Sequence, residues 1–348
     1  MSILRPRKKY IIAVFLLIIA AVVGVGAYYY SMADKLVQNI TTSGTAADLL
    51  TPQPLNGEST GAVNILIAGN SADDPHHGGA LLTDSIMVAH YDLSSHKLTL
   101  ISVPRDLYVN VSGTYQKINT AYVLGGMPEL AQIVQKVTGL TINQRVLIDY
   151  SAFRDMIDAI GGIDVTIKAD DPRGIYDPMV GFTITNGPHH LNGTQALLLA
   201  RSRNDPTYDG RVPYGLSRGD FDRTANQRMI MQAVINKINA TGALANPITL
   251  QRLVTSLSGN VKTDLTAGQL RRLYDLSKQV QSQQSIGLDT NGSGQYLLKN
   301  YYTPAVGDAL IPIGGIGNYQ SIQQYVASVT TPSSNTANGS GSATNTAQ

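Results

Sequence analysis

The sequence predicts a layered α/β domain with helices on both faces of a central sheet, held behind one N-terminal membrane span. Three observations carry this reading. Short continuous apolar runs alternate with longer segments of helical period, the pattern of strands and crossing helices. The 43% hydrophobic content of a 348-residue chain is ample for a core. A basic cluster, Arg5, Arg7, Lys8 and Lys9, precedes the uncharged run IIAVFLLIIAAVVGVGA at 11–27.

Residues 1–9 read as a cytoplasmic tail and residues 10–30 as the anchor. Seventeen apolar residues approach the roughly 20 that span a bilayer, and Tyr28, Tyr29 and Tyr30 suit its water interface. A cleaved signal peptide is the competing reading, with Val25-x-Ala27 or Ser31-x-Ala33 as its site. The run is longer than a signal-peptide core, which favours an uncleaved single-pass anchor. The N-terminus is then cytoplasmic and the main domain extracellular.

Residues 31–60 are polar and read as a stalk. The folded domain, 61–330, opens at Ala62 with VNILIAG as its first strand. Further strands are expected at Ser85–His90, Lys97–Val103, Leu107–Val111, Arg145–Tyr150 and Ile163–Ile167. Helices are expected at Pro128–Thr138, Ser151–Ile160, Thr194–Ala200, Arg223–Ile238, Ile248–Leu257 and Thr266–Val280. Thr266 and Gln269 make a capping-box pair, and Gly161-Gly162 reads as a helix stop. The tail 331–348 has no charge and no large apolar residue, so disorder is expected. No internal repeat is visible.

Composition excludes several chemistries. There is no cysteine, hence no disulfide scaffold, thiolate nucleophile or Cys-ligated metal. Outside the N-terminal cluster 22 basic residues face 24 acidic ones, leaving no nucleic-acid footprint. The carboxylates comprise 22 Asp and only Glu58 and Glu129, which argues against a paired-glutamate hydrolase.

The stretch KLTLISVPRDLYVNVSGTYQKINTAYVLGG from Lys97 is the most informative. Its apolar strand stops at Pro104 and delivers Arg105 and Asp106 to a strand end, where α/β proteins hold ligands. Arg105 and Lys117 suit a polyanion such as phosphate; a surface Arg and Lys beside a turn would look the same. Six of the thirteen arginines outside the N-terminal cluster fall between 201 and 228. Several guanidiniums around one site can hold a pyrophosphate. Asp205, Asp209, Asp220 and Asp222 nearly balance them, as on a solvated loop, but Arg201 and Arg203 directly follow the apolar TQALLLA. Asp84, just before the strand SIMVAH, suits magnesium beside a phosphate. Asp73 and Asp74, with His76 and His77, form either further metal ligands or a mobile polar loop. Gly215-Leu-Ser217-Arg-Gly219 matches the G-x-S-x-G nucleophile elbow, but no buried strand precedes it and no histidine follows His190.

The pieces NILIAG, TDSIMV, ISVPRDLYV, KINTAY with GG, FRDMIDAIGGIDV, HLNGTQALLLARSR and GDFDRTANQ occur in that order behind the anchor. In this the chain resembles the LytR–CpsA–Psr (LCP) family of cell-wall glycopolymer transferases. The resemblance runs from about Asn64 to about Ile238, with helices to about residue 328 completing the domain. It implies a three-layer α/β/α fold with a central mixed sheet around an apolar pocket for a polyprenyl chain. It also implies transfer of a glycan, such as a teichoic acid or capsule polymer, from a polyprenyl-pyrophosphate carrier to peptidoglycan through a phosphodiester link. By motif position Arg105, Lys117, Arg201, Arg203, Arg223 and Gln227 match pyrophosphate-binding residues. Asp84, Arg105, Arg203 and Asp220 match the catalytic set, and Asp84 matches a magnesium-associated aspartate, with Asp73 or Asp74 as its partner. The chain departs from the family at Leu82 and Asn226, where arginines are usual, and at Ser71, where an aspartate is usual.

The expected activity is that of a membrane-anchored, magnesium-assisted phosphotransferase. A non-catalytic polyprenyl-phosphate-binding wall-assembly protein and a pyrophosphatase acting on the same carrier are the alternatives. The first of these draws on the departures at Leu82 and Ser71.

Overall fold

The computed structural model describes residues 45–71, 81–205, 207, 210–241 and 260–331, with isolated residues between 31 and 43. The apolar run 11–27, the Asp73–Gly79 loop, the expected helix Ile248–Leu257 and the tail beyond Thr331 lie outside the described residues. Among the described residues no helix is long and apolar enough to cross a membrane.

In chain order the first half comprises β1 (Ala62–Gly69), β2 (Ser85–Asp92), β3 (Lys97–Ser102), β4 (Tyr108–Val111), β5 (Thr114–Lys117), α1 (Ala121–Thr138), β6 (Gln144–Ile148) and α2 (Tyr150–Ala159). Then follow β7 (Ile163–Ile167), β8 (Ile175–Asp177), β9 (Phe182–Ile184), β10 (Gly187–Leu191), α3 (Gly193–Arg201) and α4 (Asp220–Thr241). The chain continues with β11 (Val261–Thr263), α5 (Ala267–Ser277), β12 (Ser282–Gly287), β13 (Leu298–Thr303), β14 (Gly307–Pro312) and α6 (Gln320–Thr330).

The central sheet has the order β11-β6-β1-β2-β3-β12. Its core is the antiparallel meander β1-β2-β3, to which β6 and β12 add in parallel, so the sheet is mixed. Successive residues of β1 and β2 are buried, as expected of strands covered on both faces. On one face Leu66, Val88 and Ile101 pack with Leu130 and Val134 of α1 and Ile322 and Val326 of α6. On the other, Ile65, Met87 and Leu100 pack with Leu276 of α5 and Met231 and Ile235 of α4. A further cluster joins β7–β10 to α2, α3 and α4 through Ile157, Ile163, Leu199 and Ile230.

The expected helix from Pro128 is the regular part of α1. Gly126, at φ 68° and ψ −166°, kinks the chain before it, and Pro128 is tolerated because it sits in the first turn after the break. Thr266 and Gln269 form the expected capping box of α5. The expectation of helices completing the domain to residue 328 is corrected: β12, β13 and β14 intervene before α6. The segment preceding β1 packs on the domain. Leu55 is buried, and Glu58 pairs with Arg272 of α5 at 2.8 Å.

Candidate functional site

A cavity of about 270 Å³ opens where the central sheet meets the β7–β10 unit. Its walls are apolar: Ile67 of β1, Met87 of β2, Ile148 of β6, Phe153 of α2, Leu197 of α3 and Met231 of α4. Charge gathers at one end, where Asp84, Arg105, Arg201, Arg203, Arg223 and Gln227 also line it.

Each of these side chains is fixed by its local chain. Val103 still donates to Ile86 O, but Pro104 has no N–H and ends the β3 ladder. Arg105 O then accepts from Asn119 N, and Asn119 O accepts from Thr83 N. This one loop therefore aligns the ends of β2 and β3 and sets Asp84 against Arg105. Helix α3 is capped by Asn192 and Gln195 and stopped at Ser202, whose hydroxyl donates to Leu198 O. Arg201 and Arg203 flank that stop. Gly193 is needed where α3 crosses α2, because a Cβ there would lie 2.0 Å from Arg154 O. On α4, Asp220, Arg223, Gln227 and Met231 recur at helical spacing and share one face.

The polar end is a network of opposed charges. Arg105 Nη1 donates to Asp84 Oδ1 at 2.5 Å, and Arg105 Nε lies 3.4 Å from Asp220 Oδ1. Arg223 Nη2 pairs with Asp220 Oδ1 at 2.7 Å and donates to Asp84 O at 3.2 Å. Arg203 Nε meets Asp205 Oδ2 at 2.5 Å, and Gln227 Nε2 donates to Ala200 O at 3.0 Å. Burial alone would lower the Arg105 guanidinium, but Asp220, Asp84 and Asp106 outweigh it and hold it above its usual value. Arg223 is pushed the other way. Burial lowers it despite Asp220, and Arg105 and Arg203 add repulsion. Its Nε is buried and has no hydrogen-bond partner. A buried cation short of acceptors is the physical specification of an anion site.

Asp220 does not line the cavity but holds two of the arginines that do. Lys117 is outside it. Its Nζ pairs with Asp106 Oδ1 at 3.0 Å, so Asp106 stands between Lys117 and the arginines. Ser217 of the G-x-S-x-G match is exposed and does not line the cavity. Asn226, at a departure from the family pattern, has a buried amide nitrogen without a partner.

Two contributing residues escaped the sequence reading. Tyr150 follows β6 at a strand end and lies under Arg201, whose guanidinium carbon is 5.0 Å from the ring centroid. Burial and then Asp84 raise its phenol above the ordinary value. The strand-end rule that singled out Arg105 applies equally to Tyr150. Asp177 is fully buried and accepts from Arg203 N at 2.6 Å and Met179 N at 2.9 Å. Two of its partners, the Met179 and Val180 amides, are an ordinary local turn; the one that ties it to the site, Arg203 N, lies 26 residues on and leaves no local signal.

Asp84 is one carboxylate beside the cationic end, and among the described residues no group of three or more His, Cys, Asp or Glu could hold a metal. Magnesium uses one or two carboxylates plus water and substrate oxygens, so Asp84 fits it as a partial ligand completed by a phosphate.

Comparison with known proteins agrees with this architecture. TagV of Bacillus subtilis (strain 168), a polyisoprenyl-teichoic acid--peptidoglycan teichoic acid transferase, is 28% identical over 315 residues, covering 86% of this chain and 75% of TagV. TagU of Bacillus mycoides (strain KBAB4), with the same activity in its name, is 28% identical over 311 residues, covering 86% of this chain and 93% of TagU. The structure of the LytR-CPS2A-psr family protein YwtF (TagT) with bound octaprenyl pyrophosphate superposes with a TM-score of 0.55 at 18% identity, covering 77% of this chain and 89% of that one. At that identity the likeness concerns the fold. Residues 27–309 match the LytR_cpsA_psr family, and the chain therefore belongs to it.

Proposed function

We propose that this protein transfers a glycan from a polyprenyl-pyrophosphate carrier to peptidoglycan, forming a phosphodiester link. The observation that carries this reading is the joining of an apolar cavity to buried, partly unsatisfied arginines at one mouth. An isoprenoid tail suits the walls set by Ile67, Met87, Phe153 and Leu197, and a diphosphate suits Arg105, Arg201, Arg203 and Arg223. The names of TagU and TagV and the lipid bound to TagT support the same chemistry.

In the proposed step an acceptor hydroxyl oxygen bonds to the glycan-bearing phosphorus. The bond from that phosphorus to the bridging oxygen breaks, and polyprenyl monophosphate departs. The hydroxyl proton balances the charge of the departing phosphate. Negative charge grows on the bridging oxygen and on the phosphoryl oxygens, which the fixed guanidiniums stabilise. Asp84 and Asp220 hold those guanidiniums in place until donor oxygens replace them. Asp84 would also hold a magnesium ion, which when bound neutralises diphosphate charge. Residues 11–27 would tether the domain to the outer face of the cell membrane, beside the lipid carrier.

The test uses the full chain in detergent with a polyprenyl-pyrophosphate-linked disaccharide, peptidoglycan and Mg²⁺. Formation of the phosphodiester-linked product is expected, with loss of product when Mg²⁺ is chelated. Absence of turnover, together with unchanged octaprenyl pyrophosphate affinity in Arg203→Ala, refutes the reading. Release of glycan monophosphate and polyprenyl monophosphate without product would identify water as the acceptor.

A further inference from the structure

The hairpin β4–β5 and the hairpin β13–β14 carry an aromatic strip that the donor site does not use. Tyr108 pairs with Lys117, and Asn110 with Tyr115, so these four side chains share one face of β4–β5. The Tyr108 ring lies 5.5 Å from Tyr115 and 5.5 Å from Tyr301 of β13, tilted by 32° and 43°. Tyr301 is the register partner of Ala309 in β14, and β14 meets β4 through the bridge Leu107–Leu310. Ala309 is buried and small, which lets the two rings close over the intervening strand. Tyr115 is 40% exposed, Tyr108 and Tyr301 are half-buried, and Asn110, on the same face of β4, is exposed beside Tyr115.

We propose that Tyr108, Tyr115 and Tyr301 form a platform for a β-linked hexopyranose strand, the acceptor glycan. This rests on the transferase reading and names the acceptor side of the same site. Aromatic faces match the axial C–H surface of pyranose rings, while the Asn110 amide and the phenol hydroxyls meet the ring hydroxyls. Two steps of one ring each suit a polymer of successive sugars. Continuity with the donor site supports the acceptor. The strip starts at Tyr108, and Asp106 two residues earlier ties Lys117 to Arg105 at the cavity mouth, at 3.0 and 3.6 Å. A donor is already held by its lipid and its diphosphate. A strand with neither handle needs area instead, and the strip supplies it next to the reacting phosphorus.

The test measures binding of chitohexaose, a β-1,4-linked N-acetylglucosamine hexamer, to the full chain in detergent without donor. Affinity should fall roughly tenfold, about 1.4 kcal/mol, in Tyr108→Ala and Tyr301→Ala. Tyr302→Ala should leave it unchanged, because Tyr302 alternates to the other face of β13. Octaprenyl pyrophosphate affinity should be the same in all three. If Tyr108→Ala folds poorly, Tyr115→Ala at the exposed ring reads the same contact. Equal hexamer binding by wild type and the tyrosine variants overturns the proposal, as does displacement of the hexamer by octaprenyl pyrophosphate. Preference for the glycan released from the donor over the hexamer also overturns it. Tyrosine-dependent hexamer binding with no transfer from any donor would leave the platform standing and remove the transferase reading.

Discussion

Arg105 Nη1 donates to Asp84 Oδ1 at 2.5 Å, joining the end of β3 to the start of β2 at the cavity mouth. Asp220 and Asp106 lie 3.4 and 3.6 Å from the same guanidinium. Arg105 thus faces three carboxylates where an anion is expected to dock, sharing Asp220 with Arg223 and Asp106 with Lys117.

Removing that cation should therefore cost more than one contact. In Arg105→Ala the Asp84 carboxylate loses its ion-pair partner and repels a diphosphate that Arg105 would otherwise bind, while Asp220 and Asp106 keep Arg223 and Lys117. Octaprenyl pyrophosphate affinity should fall by about 1.5–3 kcal/mol, the range for hydrogen bonds to charged groups. Arg105→Lys should recover only part of this, since an ammonium cannot bridge Asp84 and a phosphate with a planar fork. Equilibrium binding of the lipid measures both.

Arg223 separates binding from stability. Its guanidinium is 6% exposed, and burial lowers its pKa even beside Asp220. Replacing a whole buried ion pair by apolar groups is often neutral or stabilising, but removing one partner leaves the other charge uncompensated and costs about 3–5 kcal/mol. Arg223→Met alone should lower the thermal midpoint, and the double variant Arg223→Met with Asp220→Asn should restore much of it. Octaprenyl pyrophosphate affinity should drop at least roughly tenfold in both. A lowered midpoint with intact affinity would assign Arg223 to the fold alone.

What the sequence made legible was local. The meander β1–β2–β3 showed as dense apolar runs, the α5 start as a capping pair, and Arg105 as a charge after a strand-ending proline. Strand β12, SQQSIG, was not legible. It is a polar edge strand that exists because β3 offers it a parallel partner, with Ile286 opposite Ile101. The hairpin β13–β14 likewise gains its place from β4 through Leu310 N and Asp106 O. At the site, spacing put Lys117 with the arginines, whereas the fold inserts Asp106 between them. Asp177 was invisible because its link to the site is the amide of Arg203, in another segment.

Glu58 gives a pH-dependent stability. Burial raises its pKa, but hydrogen bonds from Arg272 and the Leu55 amide outweigh this and hold it below the usual carboxylate value. A carboxyl lowered by folding stabilises above its unfolded pKa, and that stabilisation disappears as pH falls through the folded value. Glu58→Gln should cost on the order of 1 kcal/mol at pH 7. The difference from wild type should begin to shrink as pH falls past about 4.3, the unfolded carboxyl's value, and vanish only below the depressed folded value. Urea titrations across that pH range check it.

Lipid and diphosphate should be separable by filling the apolar end alone. Ala200 lines the cavity on the last turn of α3 and is buried, so a larger side chain there occupies lipid space. Overpacking costs typically about 1–3 kcal/mol, which a domain of this size should survive. Ala200→Phe should weaken octaprenyl pyrophosphate binding while inorganic pyrophosphate, which needs only the arginines, binds as before. The gap between the two ligands should narrow as the isoprenoid is shortened, because fewer methylenes then compete with the phenyl ring. If both ligands lose affinity equally at every chain length, the added ring has disturbed Gln227 and Arg201 rather than filled the tunnel. The apolar walls would then not be where the tail lies.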